Sequence, residues 1–155
     1  MQRKEYEKDV EPRDASSLKV GIAISRFNGD ITEAMLVGAR KTLREWNVPD
    51  KNVFIAHTFG SFELPHACQR LMKKHRLNAV IAIGCIVKGE TSHDAYLAQA
   101  TMHGLMRVML DTRTPVGLAV LTTNTLAQAR VRARGNTNSG EKAAIYQLFT
   151  RTFCR

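Results

Sequence analysis

The chain has 155 residues, 44% of them apolar, which is the length of one domain with enough apolar side chain for a core of its own. No apolar run approaches the ~18–20 residues of a membrane span, and residues 1–14 mix both charge signs without the apolar stretch of a secretory signal. The formal charge of +9 invites a nucleic-acid partner, but the excess is local: residues 122–155 hold six basic side chains against the single acid Glu141. No aromatic side chain interleaves Arg130, Arg132 and Arg134, so a site for a small phosphorylated molecule explains this charge better than a nucleic-acid surface. The three cysteines, Cys68, Cys85 and Cys154, are odd in number and form no CxxC pair, which suggests neither disulfides nor zinc and fits a reducing cytoplasm. Residues 1–16 read as an arm, mobile or ordered against a neighbour, and residues 17–155 as the domain.

In chain order, residues 18–25 form a β-rich run without a polar face, the pattern of a strand covered on both sides. Asn28 and Gly29 break it, and Asp30 is placed to cap the first helix. Ile31, Ala34, Met35, Gly38, Ala39, Thr42, Leu43 and Trp46 then recur at helical spacing. A second strand is expected over 52–58, and a second helix carries Leu64, Cys68, Leu71 and Met72, with Pro65 in its first turn. The third strand reads as 79–83, ending at Gly84. A loop around Lys88 to Thr91 precedes a long helix reaching about Thr112, a fourth strand covers 116–122, and two more helices lie near 125–134 and 140–153. The long helix carries one stripe through Leu97, Ala100, Thr101, Gly104, Leu105 and Val108. A second apolar side bears Met102, Met106 and Met109, covered either within the same fold or by another subunit.

Strands alternating with helices imply a parallel sheet with helices on both faces. Ligands in such sheets bind beyond the carboxyl ends of the strands. The residues just after the strands are therefore the candidates. Phe27 offers either an edge-of-core aromatic or a flat platform for a heteroaromatic ring. Glu63 starts a helix, where a carboxylate suits the dipole as well as it suits a substrate hydroxyl. The stretch through Gly89, Glu90 and Thr91 leads into the long helix, whose free amides attract phosphate. His93 stands in that first turn, and histidine is the side chain suited to proton transfer near neutrality. Arg132 is either a solvated charge or a guanidinium fork for phosphate. His57, His66, His75 and His103 show no metal-ligand spacing.

Four segments taken together resemble the lumazine synthase family: Ser25-Arg26-Phe27-Asn28; Gly60-Ser61-Phe62-Glu63-Leu64-Pro65; Gly84 through His93; and Val120-Leu121-Thr122-Thr123 with Gln128-Ala129 and Arg132-Ala133. They stand in family order and spacing across residues 18–150. The resemblance implies a single-domain α/β, flavodoxin-like three-layer sandwich with a parallel sheet of strand order 2-1-3-4. It implies the penultimate step of riboflavin biosynthesis, in which 5-amino-6-(D-ribitylamino)uracil condenses with L-3,4-dihydroxy-2-butanone 4-phosphate to 6,7-dimethyl-8-ribityllumazine, phosphate and water. It implies no cofactor, no metal and no nucleic-acid or membrane partner. A non-catalytic lumazine- or flavin-binding oligomer is the alternative.

By motif position, Phe27 would stack on the pyrimidine; Ser61, Phe62 and Glu63 would hold the ribityl chain and ring edge; Ile86 and Val87 would offer backbone contacts. Glu90, Thr91 and Arg132 would hold the phosphate, and His93 would move protons. Leu118 and Arg132 are expected from an adjacent subunit of a pentamer or a multiple of pentamers, with a 60-subunit shell favoured by the short loop before Gly140. Riboflavin synthase is the implied pathway partner. The chain departs from the family pattern at Asp94, where an aromatic is usual, at Leu118, often Phe, and at Ser139, where a lysine is common. Arg134 is the candidate to restore that charge.

Overall fold

The computed structural model describes residues 10–153. The first nine residues of the arm, and Cys154, lie outside the described residues. The sheet has four strands, β1 (Val20–Ser25), β2 (Val53–Thr58), β3 (Ala79–Val87) and β4 (Val116–Thr123), all parallel in the order β2-β1-β3-β4. Helices α1 (Gly29–Glu45), α2 (Leu64–His75), α3 (His93–Thr112), α4 (Leu126–Arg132) and α5 (Ser139–Phe153) complete the order. This is the doubly wound architecture that the alternation of strands and helices predicts, with the strand order that the family resemblance implies.

The two-residue period of the strands divides the core into two layers. Val20, Ile22 and Ile24 of β1 join Ile81, Ile83, Ala119 and Leu121 beneath α1 and α5, with Trp46 and Leu148 fully enclosed. Ala23, Val80, Ala82, Ile86 and Val120 face the other way, beneath α2 and α3, against Leu64, Cys68, Leu71 and Leu105. Ala15 is buried in the first layer and its amide donates to the Trp46 carbonyl, 2.8 Å, so this part of the described N-terminal segment lies on the domain.

Three local expectations change. Asp30 does not cap α1. Asn28 occupies the cap in the left-handed conformation, φ 56°, without a side-chain cap bond, because its amide is drawn across to the Cys85 carbonyl, 3.0 Å. β3 does not stop at Gly84. It continues to Val87 because Gly84 through Val87 pair in register with Val120 through Thr123. On α3, Thr101, Leu105 and Val108 are buried as expected, but Ala100 is exposed and Met106 is 52% exposed. The methionine side is therefore not fully covered within this chain.

Candidate active site

β3 outruns β1. The β1–β3 pairing ends at Ile24 opposite Ile83, while β3 pairs with β4 as far as Val87 opposite Thr123. Residues 84–87 thus have one flank on β4 and one open flank above the end of β1. In a parallel strand the backbone groups of successive residues point to alternate neighbours. Lys88 donates to the Thr123 carbonyl, 2.8 Å, so Ile86 and Lys88 face β4, whereas Cys85 and Val87 face the open flank. The Cys85 carbonyl there is taken by Asn28. Of the two residues expected to offer backbone contacts, Val87 presents its amide and carbonyl to the open side, and Ile86 contributes its side chain to the wall.

Around this flank lies a cavity of about 390 Å³ lined by Phe27, Gly60, Ser61, Cys85, Ile86, Val87, Gly89, Thr91, His93, Asp94 and Leu97. Its size falls in the ~300–1,000 Å³ range of small-molecule sites. Phe27 is fixed by backbone bonds that carry the β1–β2 pairing past the strand ends: Arg26 donates to the Thr58 carbonyl and Phe27 to the Phe59 carbonyl, both 2.9 Å. Its ring is 69% exposed, a large apolar face left uncovered at the cavity mouth. Ser61 is buried against β3 at Gly84, where a Cβ would stand 2.6 Å from the Ser61 hydroxyl, so glycine at 84 is what lets the cavity floor close.

His93 is the first residue of α3, two residues later than a helix opening at Gly89 to Thr91 would place it. Its amide donates to the Thr91 hydroxyl, 3.4 Å, so Thr91 serves one of the free amides of that helix start. Burial pushes the Cys85 thiol up to about 11; the Asn28 amide lowers it somewhat and the Asp30 carboxylate raises it. The cavity wall thus carries a protonated thiol rather than a nucleophile at neutral pH.

The remaining candidates do not line this cavity. Phe62 is 63% exposed beside it. The Glu63 carboxylate accepts from the Gly60 amide, 2.9 Å, and in this conformation buttresses the turn before α2. Glu90 is exposed. Leu118 and Arg132 line a different depression, a groove of about 560 Å³ along β4 that also includes Met102, Val131, Thr137, Ser139 and Lys142. No residue lines both. Arg132 is exposed and its guanidinium donates to the Gln128 carbonyl, 3.0 Å, on its own helix. Thr125 caps α4 by accepting from the Gln128 amide, 3.2 Å, and Arg130 stands 3.6 Å from Asp30 at the start of α1.

Sequence reasoning missed Asp94 and Leu97 as wall residues, though Leu97, four residues after His93, shares its side of the helix. It also missed Lys142, and it chose Arg134, which is exposed and does not line the groove. Among the described residues no group of three His, Cys, Asp or Glu side chains could hold a metal ion, and no helix is long and apolar enough to cross a membrane.

A parallel sheet with an apolar cavity over its strand ends and a cationic groove along one edge defines an α/β domain built to receive small polar molecules. The chain belongs to the 6,7-dimethyl-8-ribityllumazine synthase family, whose model matches residues 17–150. It is 42% identical over 132 residues to the 6,7-dimethyl-8-ribityllumazine synthase of Porphyromonas gingivalis, covering 84% of this chain and 82% of that one. The protein of the same name from Phocaeicola vulgatus is 38% identical over 133 residues, 85% of this chain and 79% of that one. The one from Paracidovorax citrulli is 40% identical over 131 residues, 84% and 83% respectively.

Proposed function

We infer that the chain is a transferase of riboflavin biosynthesis that joins 5-amino-6-(D-ribitylamino)uracil to L-3,4-dihydroxy-2-butanone 4-phosphate, releasing 6,7-dimethyl-8-ribityllumazine, phosphate and two molecules of water. The observation that carries this reading is that Phe27, Ser61, Val87, Thr91 and His93, from the ends of three strands and the start of α3, line one cavity. The substrate amine attacks the ketone and expels the first water as an imine forms. Loss of phosphate leaves an enol that tautomerises to a ketone, and the ribityl-bearing nitrogen closes the ring with loss of the second water. Each of these steps moves a proton, and His93 is the titratable imidazole on the wall. The amine needs no activation, so much of the acceleration comes from holding two reactants together, worth up to ~7–11 kcal/mol in well-oriented cases. Phe27 would stack on the pyrimidine, Ser61, Phe62 and Glu63 hold its ribityl side, and the Val87 backbone its ring edge, with Ile86 packing beside it. Glu90 and Thr91, with their backbone amides, would meet the phosphate from this side.

We place Leu118 and Arg132 in the site of a neighbouring subunit, within a pentamer or a multiple of it. Three observations support this: Arg132 lines a separate groove, β4 is an edge strand, and Met106, Leu110 and Leu118 form exposed apolar surface beside it. Exposed apolar surface of this kind marks contact sites. Head-to-tail contacts that close into a ring let one subunit complete the cavity of the next. Cys68 and Cys85 are free thiols, which supports a reducing, cytoplasmic setting.

Mixing the purified protein with both substrates should produce lumazine fluorescence with one phosphate released per lumazine. Tight binding of lumazine without turnover would instead favour the non-catalytic alternative. Light scattering after size-exclusion chromatography should give a mass of at least five chains, and a fully active monomer would break the shared-site reading.

A further inference from the structure

We propose that Asp94 is a substrate-contacting residue that accepts hydrogen bonds from the amino groups of the pyrimidine and so separates substrate from product. This rests on the reading of the cavity as the pyrimidine site. Asp94 lies in the first turn of α3, next to His93, and both line the cavity over the strand ends. It is half-buried, and among the described residues it is the one carboxylate on that wall. The other acids near the strand ends are engaged elsewhere or turned away. Glu63 accepts from the Gly60 amide, Asp30 faces Arg130 at 3.6 Å, and Glu90 is exposed outside the cavity. Asp94 itself has neither a hydrogen bond nor an ion pair among the described residues.

The chemistry of the two molecules gives the carboxylate its task. Val87 presents one amide and one carbonyl to the open flank, enough for a C=O and an N–H along one edge of the uracil ring. The two exocyclic nitrogens of the pyrimidine, the 5-amine and the ribitylamino N–H, are further donors. An ionised carboxylate accepts and never donates. It is the strongest acceptor for them among the side chains of the wall, where Ser61 is a neutral hydroxyl and Cys85 a protonated thiol. Condensation uses up both donors. The 5-amine becomes a ring nitrogen with a lone pair and no hydrogen, and the ribityl-bearing nitrogen ends with three bonds to carbon. The carboxylate that attracts the substrate then faces a lone pair, so it holds the product less tightly and favours its release.

The test compares two ligands: the pyrimidine, titrated without the ketone so that no turnover occurs, and 6,7-dimethyl-8-ribityllumazine, followed by its own fluorescence. Asp94→Asn and Asp94→Ala should weaken pyrimidine binding by roughly 10-fold or more and change lumazine binding by less than about 2-fold. In steady state, KM for the pyrimidine should rise while KM for the butanone phosphate holds. Asp94→Glu, which keeps the charge in the first turn, should retain most of the preference. An acid in that turn also suits the dipole of α3. If that were its whole role, both ligands would weaken together or neither would, and either result overturns the assignment. If the unaltered protein binds neither pyrimidine nor lumazine, the reading of the cavity fails as a whole; if it binds both and Asp94→Asn leaves their ratio unchanged, only Asp94 is excluded.

Discussion

The cavity over the strand ends and the groove along β4 both have apolar walls and differ in the charged side chains set on them. The cavity is walled by Phe27, Ile86, Val87 and Leu97, with a neutral thiol at Cys85 and polar groups confined to Ser61, Thr91, His93 and Asp94. The groove sets Arg132 and Lys142 beside Thr122, Thr137 and Ser139 on walls of Met102, Leu118 and Val131. On the proposed reading the first receives the heteroaromatic ring and the second the phosphate of the neighbouring subunit's site. With the groove of one subunit completing the cavity of the next, assembly would be a condition of catalysis rather than an addition to it.

The strongest way to sharpen this contrast is to damage each side separately. Arg132→Ala should raise KM for the butanone phosphate by roughly 10–150-fold, the worth of a charge-assisted contact of ~1.5–3 kcal/mol, with little change for the pyrimidine. His93→Ala should lower kcat by about 10-fold or more while both KM values stay near those of the parent, at the modest end of acid–base effects because the amine is already nucleophilic. Equal KM shifts for Arg132→Ala, or an unchanged kcat for His93→Ala, would erase the distinction. Dissociating the two variants and reassembling them together at low butanone phosphate should then return activity from about a quarter of the sites, those pairing an intact cavity with an intact groove in a random ring. No gain over the separate variants would place both residues in one subunit's site.

A smaller effect tests the apolar side through its thiols. Burial lifts Cys68 to about 12 and Cys85 to about 11 from an ordinary 9.0, the backbone of Cys68 offsetting part of its own shift. An unfolded chain loses those protons near pH 9 while the folded chain keeps them, so above pH 9 the unfolded state binds fewer protons and is favoured. The denaturant midpoint should hold below pH 9 and fall as pH rises towards 12, with Cys68→Ala giving a shallower decline. A slope unaffected by that substitution would mean the thiol is not desolvated.

Much of the fold was legible because periodicity carries it. Strands buried on both sides have no polar face, and the Ile31 to Leu43 spacing fixes the face of α1. What failed depended on distant partners. Gly84 reads as a stop because nothing local shows that Val120 through Thr123 wait beside it. Asp30 reads as a cap because the pull of the Cys85 carbonyl on Asn28 is a tertiary fact. The family motif brought Glu63 and Arg132 to notice and implied Arg132 from an adjacent subunit, and Arg132 lines a different depression from the one that holds His93; it gave no sign that Glu63 buttresses its own turn. Lys142 belongs to no motif, and its place is set by how Asn138 seats α5 on α1.

Gly140 sits where α5 touches α1 most closely: a Cβ there would collide with the Met35 carbonyl oxygen, and backbone cannot step aside as a side chain can. In the language of sequence drift, this makes a fixed post. With Ala133 buried at the other end, the intervening segment is bracketed between two positions that tolerate little change. Mutation is free to alter which side chains the segment displays, but not where α5 begins. A side chain displayed from the first turn of α5 therefore keeps its spacing to α4 whatever the loop between them carries.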